Sequence, residues 1–209
     1  MAEVRFVMGG RIVGREEAAR AAVLVAGAGI SDPSTVHAFG DDESFRTWAA
    51  ASRAKSRLLA LDALVARARA EPDRGDAPAA RHQEQTEQAV CALLDLGGKY
   101  RLQPGSEDLL RRATSDANGT KARFDSLMVL YDGYEFQGSW RPVAGAVPRL
   151  DWIGFDDRTS SLWLSGAGVL GQHTGFGGQL LYMLGAPWTR FDRLSRFGFD
   201  NRASSAAVL

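Results

Sequence analysis

The spacing of apolar residues changes near residue 120 of this 209-residue chain. Before that point, side chains such as Leu58, Leu61 and Val65 recur at intervals of three and four residues, the period of an amphipathic helix. After it, short apolar runs alternate with glycine-rich turns, which is typical of strands. The pattern predicts an α-rich α+β module over residues 1–120 and an all-β domain over residues 121–209.

The first segment is expected to begin with a β-hairpin, because two short apolar runs flank the glycines at positions 9 and 10. A helix is expected over residues 15–26 and a strand over residues 35–39. Asp41 or Asp42 would cap the next helix by accepting hydrogen bonds from its free N–H groups. Further helices are predicted over residues 52–70, 81–96 and 106–113.

The second segment is expected to be a β-sandwich, because several short strands follow one another at regular spacing with glycine turns between them. Aromatic residues alternate over residues 134–138, which end in a turn. The strands are predicted at residues 127–131, 161–164, 168–170, 179–183 and 205–209.

A repeat runs through this second segment. The sequence Gly-Phe-Asp-Asp-Arg-Thr-Ser-Ser, which begins at Gly154, recurs from Gly198 as Gly-Phe-Asp-Asn-Arg-Ala-Ser-Ser, 44 residues later. Each copy follows a Phe-x-Gly turn, at residues 136–138 and again at residues 176–178. Two copies are too few for a solenoid, but two can close a pair of sheets around one core. The loops are rich in oxygen, as sites for hard cations are.

The two copies resemble the Greek-key motif of microbial βγ-crystallins. That motif joins an aromatic-x4-aromatic-x-Gly hairpin, here Tyr131 to Gly138, to a loop of the form (Asn/Asp)-(Asn/Asp)-x-x-(Ser/Thr)-Ser. The loops are residues 156–161 and 200–205, and the resemblance covers about residues 125–209. It implies a double Greek-key β-sandwich that binds two Ca²⁺ ions shared between the motifs. Few carboxylates per site imply micromolar or weaker affinity.

The resemblance also implies which residues hold the ions. The fifth loop position gives a side-chain oxygen, the third gives a backbone carbonyl, and another carbonyl comes from two residues before the hairpin phenylalanine. The first two loop residues either ligate the ion or maintain the shape of the loop, and the sequence does not separate these roles. In this order the residues are Ser160 and Ser204, Arg158 and Arg202, Tyr134 and Thr174, and Asp156, Asp157, Asp200 and Asn201.

The second copy departs from the motif at its first aromatic position, where Gly171 stands in place of Tyr131. The hairpin of that copy lacks the ring that helps to pin the fold, so we expect this half of the domain to be the less stable one. The positions of the ligands are retained.

Composition narrows the range of functions. Lys and Arg together number 25, as do Asp and Glu, so no overall field attracts nucleic acid. The single cysteine, Cys91, excludes an intrachain disulfide and is interpreted as a buried apolar thiol. No signal peptide or membrane span is visible, so a cytoplasmic location is the default expectation. No arrangement of nucleophile, base and orienting group indicates an enzyme.

The sequence therefore predicts a calcium-binding protein that is not an enzyme, in which ion binding stabilises the β domain. The N-terminal module could have a protein partner. Alternatives on the same fold are a purely structural Greek-key domain and a secreted-type protease inhibitor or antimicrobial toxin. Such inhibitors and toxins usually carry disulfides and a signal peptide, and this sequence shows neither.

Overall fold

The structure, a computed structural model, describes residues 4–27, 34–52, 55–70, 126–143 and 145–209. These residues form ten β-strands and three α-helices. The helices predicted over residues 81–96 and 106–113, and Cys91, lie outside the described residues.

The N-terminal segment begins with the predicted hairpin. Gly9 and Gly10 both have left-handed backbones, with φ of 57° and 81°, which glycine adopts without steric cost. Asp41 caps the second helix, because its carboxylate accepts a hydrogen bond of 2.7 Å from the N–H of Ser44. The elements are β1 (Arg5–Met8), β2 (Arg11–Val13), α1 (Arg15–Ala18), β3 (Val23–Gly27), β4 (Thr35–Phe39), α2 (Asp42–Ala50) and α3 (Ser56–Ala70).

The helix predicted over residues 15–26 is wrong. Only its first four residues are helical, as α1, and the chain then enters β3. Every residue of β3 is buried, and β3 pairs with strands on both sides. A strand that is buried on both faces is apolar throughout, so its sequence lacks the alternation that distinguishes a strand from a buried helix.

The C-terminal segment contains six strands, and two of them are longer than predicted. The strands expected over residues 161–164 and 168–170 are parts of one strand, β8. Its register shifts between Leu164 and Gly166, which is an irregularity within the strand rather than a turn. The strands are β5 (Leu127–Tyr131), β6 (Trp140–Val143), β7 (Ala146–Val147), β8 (Ser161–His173), β9 (Gly177–Phe191) and β10 (Ser205–Val208).

The two Greek-key copies repeat their backbone hydrogen bonds. The N–H of Ser160 donates to the carbonyl of Tyr131 at 2.8 Å, and the N–H of Ser204 donates to the carbonyl of Gly171 at 2.9 Å. Each of these serine carbonyls accepts a bond from the other copy, at 2.8 Å from Leu194 and 2.9 Å from Leu150. The predicted double Greek-key β-sandwich is confirmed.

Strands from both segments belong to one sheet, in the order β2-β1-β4-β3-β9-β8-β10-β7, with β5 pairing β8 and β6. The junction is the parallel pairing of β3 with β9, which runs from Val23 opposite Leu180 to Gly27 opposite Leu184. The predicted domain boundary at residue 120 lies outside the described residues. The described parts before and after it are joined by this pairing.

Helices α2 and α3, which we call the helix layer, cover one face of the sheet. Phe45 of α2 stacks on Tyr182 of β9 with ring centroids 4.6 Å apart. The Tyr182 hydroxyl donates to the carboxylate of Asp62 in α3 at 2.8 Å, and Arg46 of α2 donates to the other oxygen of Asp62 at 2.6 Å. Burial raises the pKa of Tyr182, with a further contribution from the Asp62 charge.

Candidate functional site

Two tight turns precede the oxygen-rich loops, and both have left-handed backbones at equivalent positions. In the first turn, φ is 56° at Glu135 and 65° at Phe136. In the second turn, φ is 64° at Gly175 and 58° at Phe176. Left-handed non-glycine residues cost free energy and persist only where the surroundings hold them. The two turns are therefore held in one specific shape by their surroundings.

A serine hydroxyl holds each turn. The Ser161 hydroxyl donates to the carbonyl of Gly133 at 2.6 Å and accepts from the N–H of Phe136 at 3.0 Å. This serine is the last residue of its loop, so it joins the turn directly to the loop. The second copy repeats the arrangement with Ser205, the carbonyl of His173 and the N–H of Phe176, at 2.8 and 3.2 Å.

The two loops lie against each other. The N–H of Asp157 donates to the carbonyl of Ala203, and the N–H of Asn201 donates to the carbonyl of Thr159, both at 3.0 Å. Asp157 and Asn201 have φ of 49° and 51°, a conformation that Asp and Asn tolerate better than most residues. The second position of each loop is thereby directed toward the other loop.

Side-chain oxygens of the two loops meet in reciprocal pairs. The Ser160 hydroxyl donates to Oδ1 of Asn201 at 3.1 Å, and the Ser204 hydroxyl donates to Oδ1 of Asp157 at 3.3 Å. Each pair takes one oxygen from each Greek-key motif. The structure therefore brings together the serines and the second loop residues that the sequence names as site residues.

We call the Ser160–Asn201 pair, with Asp200 next to Asn201 in the chain, the first oxygen group. The Tyr134 hydroxyl donates to Oδ2 of Asp200 at 2.5 Å, and this hydrogen bond raises the pKa of Tyr134. Oδ1 of Asp200 is buried and has no hydrogen-bond partner among the described residues. Buried oxygens are almost always paired, so this oxygen is an acceptor whose capacity for hydrogen bonds is unused by the described residues.

We call the Ser204–Asp157 pair, with Asp156 next to Asp157 in the chain, the second oxygen group. Thr174 begins the second turn, and its carbonyl accepts a hydrogen bond from the N–H of Gly177. The carbonyl of Tyr134 accepts the equivalent bond, from Gln137 at 3.3 Å. Asp156 is exposed at the start of its loop. The two predicted carbonyl ligands thus occupy equivalent positions.

Arg158 and Arg202, at the third loop positions, use their side chains to brace the loops. Arg158 donates to the carbonyl of Gly154 at 3.0 Å and forms an ion pair of 2.7 Å with Asp132. Arg202 donates to the carbonyl of Gly198 at 2.6 Å. The resemblance implies a role only for the backbone carbonyls of these two arginines, so it does not predict the contacts of their side chains.

The side-chain atoms that meet in both groups are oxygens. Among the described residues, no three His, Cys, Asp or Glu side chains gather in one place where they could hold a metal ion. Carboxylate, amide, hydroxyl and carbonyl oxygens suit hard cations.

No helix in the described part of the chain is long and apolar enough to cross a membrane.

Solved βγ-crystallin structures resemble part of this chain. A βγ-crystallin from Ciona intestinalis is 24% identical, and the alignment covers 40% of this chain and 99% of that one with a TM-score of 0.36. A βγ-crystallin from an archaeon is 19% identical over 40% of this chain and 98% of its own, with a TM-score of 0.36. A βγ-crystallin domain from Flavobacterium johnsoniae is 19% identical, and the alignment covers 39% of this chain and 92% of that one with a TM-score of 0.33.

No protein-family model matches the chain, and no curated protein matches it. The solved structures belong to the family that the repeated motifs resemble, and the likeness concerns the fold alone. The resemblance to βγ-crystallins that the repeat predicts is confirmed in that sense.

Proposed function

We propose, from the βγ-crystallin-like fold of residues 126–209, that this protein binds two Ca²⁺ ions, one at each oxygen group. Ser160, Asp200, Asn201 and the carbonyl of Tyr134 serve the first ion. Their counterparts Ser204, Asp156, Asp157 and the carbonyl of Thr174 serve the second, and the carbonyls of Arg158 and Arg202 complete the set. The proposed function is binding, without a catalytic step.

The reciprocal oxygen pairs carry this proposal. Two oxygens that each lie about 2.4 Å from one Ca²⁺ ion can be at most about 4.8 Å apart. The Ser160–Asn201 and Ser204–Asp157 oxygens lie 3.1 and 3.3 Å apart, within that limit. The unpaired, buried Oδ1 of Asp200 is a further acceptor that a cation would satisfy. The serine hydroxyls would turn their hydrogens away when an ion replaces these hydrogen bonds.

Calcium fits these donors better than magnesium does. Magnesium requires a near-ideal octahedron at about 2.0–2.1 Å and gives up its water reluctantly. Calcium accepts irregular shells of about six to eight oxygens, and water can complete the shell. Because each ion would join one motif to the other, binding would stabilise the folded domain over the unfolded chain.

The two groups differ in charge. The second contains the carboxylates of Asp156 and Asp157, whereas the first has Asp200 and the neutral amide of Asn201. In the first group, the Tyr134 hydroxyl already occupies one oxygen of Asp200. We therefore expect the second group to bind calcium more tightly than the first.

Thermal unfolding with and without calcium tests the proposal. A ligand at about 100 times its Kd adds about 2.7 kcal/mol per site, and about 1 kcal/mol corresponds to roughly 2–4 °C in Tm for a chain of this size. Saturation of one group should therefore raise Tm by at least about 5 °C, and magnesium should raise it far less. The double variant Ser160→Ala with Ser204→Ala should keep its fold and lose the increase.

The exposed Ser139 provides a matched control, because Ser139→Ala should retain the full calcium effect. A melting curve of the unmodified protein that millimolar calcium leaves unchanged would contradict the proposal. That result would favour a purely structural Greek-key domain.

A further inference from the structure

The two ion-binding turns are supported in different ways. In the first motif, the Tyr131 ring lies against Phe136 and against Trp163, with ring centroids 5.7 Å apart in both cases. The equivalent of Tyr131 in the second motif is Gly171, which has no side chain to place against the second turn. Apolar support for the turn at residues 174–176, which Ser205 also holds through hydrogen bonds, must therefore come from elsewhere.

The helix layer takes that place. Phe176, the counterpart of Phe136, is fully buried and belongs to a cluster with Leu58, Leu61 and Val65 of α3. The apolar support for the second turn therefore comes from a segment that lies more than 100 residues earlier in the chain.

Arg69, near the end of α3, also binds the turn through a polar contact. Its Nε and Nη2 atoms both donate to the carbonyl of Phe176, at 3.0 and 2.7 Å. Its Nη1 atom lies 3.3 Å from a carboxylate oxygen of Asp42 in α2. Two charge-assisted bonds to one carbonyl fix its direction more firmly than one neutral bond would.

The Phe176 carbonyl and the Gly177 N–H belong to the same planar peptide unit. At one edge of this peptide unit, Arg69 donates to the carbonyl oxygen. At the opposite edge, the N–H of Gly177 donates to the carbonyl of Thr174, the predicted ligand of the second ion. The arginine therefore acts on the Thr174 carbonyl through one rigid peptide plane and one hydrogen bond.

We propose that Arg69 is a positioning residue for the second calcium ion, so that the helix layer sets the affinity of that ion and leaves the first ion unaffected. This inference rests on the proposed calcium binding. Without Arg69, the peptide plane between Phe176 and Gly177 can rotate, and the Thr174 carbonyl loses its fixed direction. An ion then has to order the turn as it binds, which lowers its affinity.

Calcium calorimetry on full-length variants separates the two groups. Ser160→Ala leaves only the second group intact, and Ser204→Ala leaves only the first. Adding Arg69→Met should weaken binding about tenfold in the Ser160→Ala protein, which corresponds to about 1.4 kcal/mol. It should change the affinity less than twofold in the Ser204→Ala protein. A general loss of stability would lower both affinities, so the split between them is specific to positioning.

Arg67→Met is the matched control, because Arg67 is an exposed arginine on the same helix and its loss removes the same charge. It should leave both affinities unchanged. Arg69→Lys keeps the charge but loses the bidentate contact, so its calcium affinity in the Ser160→Ala background should lie between those of Arg69→Met and the unmodified residue. Far-ultraviolet circular dichroism confirms that each variant is folded.

Hydrogen exchange provides a readout that needs no calcium. In the ion-free protein, Arg69→Met should speed exchange of the Gly177 amide about tenfold and leave the equivalent Gln137 amide unchanged. If the unmodified protein binds two ions and Arg69→Met alters neither the second affinity nor the Gly177 exchange, the role of Arg69 is refuted and calcium binding stands. If the unmodified protein takes up no calcium, the proposed function and this inference both fail.

Discussion

Replacing Gly171 with alanine should destabilise the second Greek key. A Cβ atom at this position would lie 2.4 Å from the Ser205 hydroxyl and 3.1 Å from the Cα of Phe176, and both distances are shorter than ordinary contacts. In the first motif, Tyr131 lies opposite Ser161, whereas in the second motif Gly171 lies opposite Ser205 and leaves no room for a Cβ atom. The Ser205 hydroxyl and the turn must move to admit even a methyl group.

The cost has two parts. Overpacking of a tight interior costs about 1–3 kcal/mol. Displacement of the Ser205 hydroxyl weakens its bonds to His173 and Phe176, each worth about 0.5–1.5 kcal/mol. Together they predict a loss of about 2–4 kcal/mol, or roughly 5–15 °C in Tm for a chain of this length.

Urea unfolding followed by circular dichroism measures this loss. Gly14→Ala is the control, because a Cβ atom there meets nothing within 4 Å and φ is an ordinary −73°. In a double-mutant cycle, Ser205→Ala removes the atom that clashes, so the combined cost of Gly171→Ala and Ser205→Ala should fall about 1 kcal/mol below the sum of the single costs. A Gly171→Ala protein within about 0.5 kcal/mol of the unmodified one, or strict additivity, would refute the packing argument.

Three further variants test the link between the two segments and the first oxygen group. Asp62→Ala leaves the buried hydroxyl of Tyr182 without its partner, so the free energy of unfolding in urea should fall by about 2–4 kcal/mol. Arg46→Met removes a half-exposed side chain and should lower the same free energy by about 1 kcal/mol or less. Equal costs for the two variants would contradict this assignment. Tyr134→Phe removes the hydroxyl that donates to Oδ2 of Asp200. In a Ser204→Ala background, calorimetry should therefore show severalfold tighter calcium binding by the first group. Weaker binding would show that the Tyr134 hydroxyl favours calcium binding instead.

The sequence predicts the C-terminal fold well because its information is local. Each copy carries its own turn, its own serine at the end of the loop and its own left-handed loop residue, and the repeat places both copies in one architecture. The reciprocal contact between Ser160 and Asn201 follows from that symmetry. The predicted roles of these residues as ligands await a measurement of calcium binding.

The contribution of the N-terminal segment could not be predicted in the same way. The pairing of β3 with β9 joins residues more than 150 positions apart, and no local pattern specifies a parallel partner at that distance. The contact of Arg69 with Phe176 likewise joins residues 107 positions apart. The expectation that Gly171 weakens the second motif considered the hairpin alone, without the helix layer that packs on it.

Calorimetric titration of the ion-free protein with calcium is the direct test of whether this chain binds two ions. We expect saturable binding of two ions per chain, with unequal affinities in the micromolar range or weaker. We also expect that Ser160→Ala and Ser204→Ala each remove one ion. Absence of binding heat up to millimolar calcium, or a stoichiometry that the serine substitutions leave unchanged, would contradict the proposed calcium binding.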